Sequence, residues 1–426
     1  MARHLGRAQA ALRRRTLLRT GAALLCTPFI ARAQAAPRVV VIGGGFGGAT
    51  AARFLRRANP NIAVVLVEPN ATFTACPFSN EVLAGERDID AQLFDYRGVA
   101  ADGVRVVQAA ATAIDPARRT VTFGDNLLPY DRVILSPGID IAWNALPGYD
   151  EAAAERMPHA WKAGEQTLLL RRQLEAMADG GVVVISAPAN PYRCPPGPYE
   201  RASLIAWYLK TNKPRSKLIL LDSKDIFSKQ KLFQAAWKEL YPNLEWISLS
   251  DGGKVTRVDP ATNTFETDFG SHRADVANVI PPQRAGAIAA AAGVADRTGW
   301  CPIDPVTFES RLQPGIHVIG DAAIAGAMPK SAFAANAQAK VCAAAVAQLL
   351  AGEAPAEPRL INTCYSLVAP GAAISVAGVY RPLNGQLTDI EGAGGTSPPN
   401  APAEQRAKEA EYADAWFKTI TRETFG

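Results

Sequence analysis

No two of the six cysteines in this chain form a C-x-x-C pair, and none opens a C-x-x-C-H sequence. The second absence means that the chain carries no c-type haem of its own. Histidine is equally scarce, and His159, His272 and His317 stand apart from one another, so no metal site is expected. Long apolar runs are missing too. The one hydrophobic stretch near the start is short and broken by Arg19 and Pro28, which argues against a membrane anchor. Nor is there a stripe of Lys and Arg with interleaved aromatics, so nucleic acid is not an expected partner.

The basic residues are instead concentrated at the start. RRRTLLRTGAALLCTPFIARA has a basic beginning, a short apolar centre and a small-x-small end, the pattern of a removable signal over residues 1–33. Arg14-Arg15 followed by Thr16, Leu17 and Leu18 resembles the twin-arginine export signal, which implies folding around a cofactor before export and a periplasmic location. Without the seven arginines of that segment, 38 basic residues face 40 acidic ones, a net charge near −2. Cys26 leaves with the signal. Five cysteines remain for an oxidising compartment, and an odd number leaves at least one unpaired.

The apolar run Val39–Ile42 leads into Gly43, Gly45 and Gly48 and then into an Ala-rich helical stretch, with Glu68 closing the next apolar run. In this order the glycines allow a tight turn and close approach of a pyrophosphate. The helix N-terminus supplies N–H groups, and the acid accepts hydrogen bonds from a ribose. Two later stretches, YDRVILSPGI and GIHVIGDAA, read as strands ending in turns, the second at Gly320-Asp321. A long Ala-rich helix follows, with its positive end available to a reduced cofactor. The middle third starts a second βαβ unit at GGVVVISAPANPYRCPPGPYE, but Ser186–Pro191 replaces the glycine fingerprint. Its prolines remove N–H donors, so nicotinamide binding is not expected there.

Cys194 lies in a proline-stiffened loop, and Cys364, in LINTCYSLVAP, is read as a loop residue beyond the long helix. The two are candidates for a redox disulfide beside the cofactor or for a plain stabilising one. Glu200 is read either as an acid/base or as an exposed helix cap. Cys76, eight residues past Glu68, suits a core thiol or a covalent cofactor attachment. Cys342 is expected in the core, with Cys301 packing against the frame, and His317 is read as structural. Trp416 is read as a cover for the cofactor or a helix contact.

TACPFSNEV, PHAWKAGEQT, RCPPGPYERAS, IPPQRAG, GWCPID, HVIGDA, INTCYS and ETFG resemble the flavoprotein subunit of flavocytochrome c sulfide dehydrogenase over nearly the whole chain after the signal. The YDRVILSPGI and Gly320-Asp321 stretches resemble the wider two-dinucleotide-fold flavoproteins, where the Asp contacts the ribityl and phosphate region of FAD. The resemblance implies FAD joined to Cys76 by a thioether, a reactive Cys194–Cys364 disulfide over the flavin and hydrosulfide as substrate. It also implies a separate c-type cytochrome subunit that carries the haem and accepts the electrons. A sulfide:quinone reductase, an NAD(P)H-dependent flavoprotein and a noncatalytic flavin-binding partner of another sulfur-oxidising system are the alternatives. The expected fold is α/β with two Rossmann-like domains. Residues 37–148 and 283–358 form an FAD domain, 149–282 a degenerate NAD-type domain and 359–426 a C-terminal α+β interface region.

Overall fold

The architecture was taken from a computed structural model, which describes residues 36–426; the expected export signal lies outside the described residues. Strand Arg38–Ile42 sits in the middle of a parallel sheet. Ala63–Glu68 and Arg105–Gln108 lie on one side of it, and Arg132–Leu135 and Ile316–Val318 on the other. A parallel sheet covered on both faces is unbroken in its apolar character. Accordingly, Val39, Val40 and Val41 are all fully buried. The strand order reverses beside Arg38–Ile42, and the crevice at the carboxyl ends of such strands is where this architecture holds ligands.

Gly43 turns the chain out of the first strand at φ +94°, and the Gly48–Ala58 helix begins against it. A Cβ on Gly48 would stand 1.8 Å from the Gly43 carbonyl oxygen, so only glycine permits this helix to lie so close to the turn. The long helix Ala332–Leu350 packs on Gly48–Ala58, its N-terminus capped by Ser331, whose hydroxyl accepts the Ala334 N–H at 3.0 Å.

A second parallel sheet runs in the order Leu244–Ile247, Lys217–Asp222, Val182–Ala187, Val276–Val279. Its crossover helix, Gly197–Asn212, follows the Cys194 loop directly and packs on strand Leu360–Ala369 of a third, antiparallel sheet, which continues through Ala372–Leu383 and Gln386–Asp389. Helix Ala403–Thr424 lies across that sheet. Its last turn reaches back to the first domain. Arg53 donates to the carbonyls of Arg422 and Glu423 at 3.1 and 2.9 Å, satisfying oxygens that a helix end leaves without partners. Phe425 then stacks on Phe73 and Phe94, with ring centroids 5.4 and 5.2 Å apart. Pro37–Gly426 thus behaves as one compact unit.

Candidate functional site

A cavity of about 840 Å3 opens where the three sheets converge, at the carboxyl end of strand Arg38–Ile42. Of the ten residues singled out from sequence, nine border it. Gly48 does not; it lies beneath the turn and lets the turn form.

Two features at separate points of the cavity fit a dinucleotide. At the glycine turn, Glu68 accepts the Gly44 N–H at 2.7 Å through one carboxylate oxygen and both N–H groups of Asn70 at 2.9 and 2.8 Å through the other. The carboxylate is held rigidly in place and retains lone pairs for ribose hydroxyls. At Gly320-Asp321, the Asp321 carboxyl has a fully buried oxygen with no protein partner. Burial raises its pKa, against the opposing charges of Arg193 and Lys330. A buried carboxylate oxygen left without a donor marks a position for a ligand hydroxyl. Lys330 braces the same turn, donating to the carbonyls of Asp321 and Ala323 at 2.7 and 2.8 Å, and burial lowers its own pKa to about 8. Pyrophosphate turn, ribose acid and orphaned carboxylate share one cavity, and these residues fit FAD.

Cys76 borders the cavity just before helix Ser79–Ala84, its Sγ 3.8 Å from the Trp161 carbonyl oxygen. The Trp161 indole N–H is buried without a partner. Trp416 borders the same space and stacks on Phe333 in the first turn of the long helix.

Cys194 and Cys364 reach the cavity from different parts of the fold, the first from the loop between strand Val182–Ala187 and helix Gly197–Asn212 and the second from the third sheet. Cys194 adopts a left-handed backbone at φ +58°, its N–H bonded to the Lys330 carbonyl at 2.8 Å and its carbonyl accepting from Gly197 at 2.8 Å. The loop is therefore tied both to the Asp321 turn and to the helix it precedes. Cys364 differs from expectation. It lies inside strand Leu360–Ala369, paired opposite Val376, because the chain beyond the long helix enters the third sheet rather than a loop. Its Sγ accepts from the Asn362 amide at 3.4 Å, and Asn362 in turn accepts from Ser331 at 2.6 Å. Both thiols are free in the structure. Burial raises the Cys194 pKa, with the charges of Glu200 and Cys364 adding to the shift and those of Arg193 and Lys229 opposing it.

Glu200 is no exposed cap. It sits in the first turn of helix Gly197–Asn212, accepting from Asn80 at 2.9 Å and from the Leu367 backbone at 2.8 Å, and burial raises its pKa. Beside it, Arg201 is 2% exposed and donates to the His159 and Ala160 carbonyls and to Asn278 and Asn80. This one guanidinium joins the Cys76 segment, the Trp161 loop and the second sheet. Neither Asn80 nor Arg201 stood out in the sequence, although both lie in stretches flanking the cysteines. His159 is buried and accepts the Trp161 N–H, with burial and the Arg201 charge depressing its pKa to about 3. His317 is buried in its strand with Nδ1 2.8 Å from the Thr307 carbonyl, and Cys301 and Cys342 are core residues.

The second βαβ unit has its own acid, Asp222, at the place corresponding to Glu68. It is already saturated: Tyr199 and Trp246 donate to one oxygen at 2.7 and 3.1 Å and Lys224 to the other at 2.6 Å. The Tyr199 ring packs on Phe227 with centroids 3.5 Å apart. Aromatic side chains fill the ground where a ribose would lie.

Residues 37–185 match the pyridine nucleotide-disulphide oxidoreductase family model. Residues 167–281 match the central part of the sulfide dehydrogenase [flavocytochrome c] flavoprotein chain, and residues 356–425 the flavin-binding part of flavocytochrome c sulphide dehydrogenase. Among curated relatives, the sulfide dehydrogenase flavoprotein chain of Chlorobaculum thiosulfatiphilum is 62% identical over 45 residues, which are 11% of this chain and 94% of that short sequence. The mitochondrial sulfide:quinone oxidoreductase of Mus musculus is 23% identical over 303 residues, 66% of this chain and 65% of its own length. Among solved structures, the sulfide:quinone oxidoreductase of Aquifex aeolicus superposes with a TM-score of 0.71 at 17% identity, covering 91% of this chain and 92% of that one. Putidaredoxin reductase, in its complex with putidaredoxin, gives 0.65 at 19% identity over 89% and 94%. These structures share the α/β two-dinucleotide fold, and the two family models with the Chlorobaculum match make residues 167–281 and 356–425 similar to flavocytochrome c sulfide dehydrogenase flavoprotein chains.

Proposed function

We propose that the chain is an exported, periplasmic flavoprotein that oxidises hydrosulfide through a Cys194–Cys364 disulfide and passes the electrons to a c-type cytochrome subunit. The observation that carries this reading is that two cysteines, one on the loop ahead of helix Gly197–Asn212 and one in the third sheet, open on the same cavity as the FAD cradle. Bound FAD, attached through Cys76, supplies a two-electron acceptor. The chain's own residues supply the sulfur chemistry.

Hydrosulfide attacks one sulfur of the pair. A new S–S bond forms as the Cys194–Cys364 bond breaks, and the electron pair of the broken bond leaves on the other sulfur as thiolate. Glu200, whose raised pKa favours proton uptake, takes the S–H proton. A second hydrosulfide attacks the outer persulfide sulfur and carries it off as a hydrodisulfide, the first member of a polysulfide, leaving the cysteine sulfur as thiolate. The two thiolates then re-form the Cys194–Cys364 bond, releasing two electrons to the bound FAD. Because a haem takes one electron at a time, the cytochrome is served twice per sulfide.

The likeness to the mouse sulfide:quinone oxidoreductase favours quinone as a second reading of the acceptor. Helix Ala403–Thr424 carries charge along its length, and none of the described helices is long and apolar enough to cross a membrane. The test is anaerobic titration of the purified protein with sulfide and separately with NADH, followed by acid precipitation. Bleaching by sulfide alone, with flavin retained in the pellet, is the expected result. Bleaching by NADH, or a colourless pellet, refutes the nicotinamide-free route or the Cys76 linkage respectively.

A further inference from the structure

Lys229 is a buried lysine, 8% exposed, that the chemistry above leaves unused. It stands on a left-handed backbone at φ +64°, just ahead of helix Gln230–Leu240, and its side chain crosses from the second domain to the third sheet. There Nζ donates to the carbonyl oxygen of Cys364 at 2.9 Å and to the Ser366 hydroxyl at 2.8 Å. Among the described residues, no carboxylate oxygen lies within 4.0 Å of it. A buried ammonium is costly unless an anion compensates it. Burial accordingly lowers its pKa. The groups that oppose this, in descending order, are Cys364, Glu200, Cys194 and Glu409.

The two carboxylates are engaged elsewhere. Glu200 is tied to Asn80 and the Leu367 N–H, and Glu409 accepts from Ser397 at 2.6 Å. The sulfurs are different, because they gain negative charge only when the pair is open. Two neutral hydrogen bonds fix Nζ over the Cys364 backbone and leave its third N–H uncommitted. Asn362 reaches the Cys364 sulfur from the other direction.

We propose that Lys229 is a positioning residue that serves as the fixed counter-charge for the anionic sulfur formed when the Cys194–Cys364 pair is opened. Opening the pair by hydrosulfide adds one negative charge to a buried site, and Lys229, already held on the Cys364 strand, supplies the balancing positive charge. The same charge favours the sulfur anion over the neutral thiol and so keeps the opened pair reactive. This rests on the disulfide reading of the two cysteines but not on sulfide being the substrate.

The experiment uses the holoprotein, reduced with dithiothreitol, then freed of reductant and alkylated anaerobically with iodoacetamide across a pH series. Peptide mass spectrometry reads the extent at Cys194 and at Cys364. The variants are Lys229→Met, which keeps the stem and removes the charge, Lys229→Arg, which restores it, and Ser366→Ala, which removes a hydrogen bond alone. The rate profile of Lys229→Met is expected to move to higher pH by about one unit, a roughly tenfold slower reaction at neutral pH. Lys229→Arg and Ser366→Ala should track the parent protein. A 13Cβ-cysteine NMR titration of the same proteins reads thiolate formation without any reagent having to reach the site, and near-ultraviolet circular dichroism reports whether each variant is folded. Coincident profiles for the parent and a folded Lys229→Met overturn the proposal, as does a folded Lys229→Arg that behaves like Lys229→Met. Failure of sulfide to bleach the flavin would overturn the sulfide reading and leave these profiles unaffected.

Discussion

Replacing Glu200 by glutamine separates the structural bonds this carboxylate makes from the proton transfer proposed for it. Its oxygens accept from two fixed donors, the Leu367 N–H and the Asn80 amide. Asn80 has no freedom to flip, because its oxygen accepts from Arg201. A glutamine therefore points its amide N–H at one donor and leaves that donor unpaired, at a cost of about 1–3 kcal/mol in stability. The chemistry is affected more strongly. A group that takes the S–H proton contributes about 10²–10⁴ in rate, so stopped-flow reduction of the flavin by sulfide should slow by at least about 100-fold. The pH dependence supplies the sign. Burial raises the Glu200 pKa above 4.5, so the profile of the parent protein should have a limb above that value that Glu200→Gln lacks. If the variant is reduced within about threefold of the parent rate while Cys194→Ser is inert, Glu200 is not the proton acceptor.

Two further predictions follow from the frame. His159 has its pKa depressed to about 3 by burial, whereas unfolding restores the ordinary 6.5, so the stability it contributes is present above 6.5 and lost as pH falls towards 3. Unfolding free energies from urea titrations between those values should fall more steeply for the parent than for His159→Asn, by about 1.4 kcal/mol per pH unit, and parallel slopes would contradict this. In Gly48→Ala the new methyl group must displace the Gly43 carbonyl, at a cost of about 1–3 kcal/mol. Purified Gly48→Ala should show a reduced ratio of flavin to protein absorbance and a lower melting temperature, and full flavin content would show that the turn can give way.

The nucleotide frame was legible because its constraints are local. A turn that leaves no room for a Cβ against the packed helix demands glycine, as Gly48 against the Gly43 carbonyl shows, and an acid at a strand end announces itself by spacing. The roles of Lys229 and Arg201 were not, because each is defined by partners from remote segments. Lys229, in SKQKLF, reads as one of several surface lysines until the third sheet brings Cys364 to it. Arg201 reads as an ordinary helix arginine until four acceptors from three segments surround it. Cys364 was recognised as a residue but placed on a loop, since LINTCYSLVA is short of the strict alternation that marks a half-buried strand. The loss of the second glycine turn was visible in the prolines of Ser186–Pro191, but the Tyr199, Trp246 and Lys224 lock on Asp222 was not.

The packing of Phe425 on Phe73 and Phe94 bears on how the protein is made. The glycine turn and its helix lie near residue 45, yet the aromatic cluster behind them is closed by the ring of Phe425, and Arg53 finds its carbonyl partners only at residues 422 and 423. Contacts so distant along the chain form slowly and late. During synthesis the first domain emerges before the residues that complete this wall, which arrive only with the last helix. A chain that ends before Arg422 and Phe425 therefore lacks both the aromatic ring and the carbonyls that close this wall beside the glycine turn.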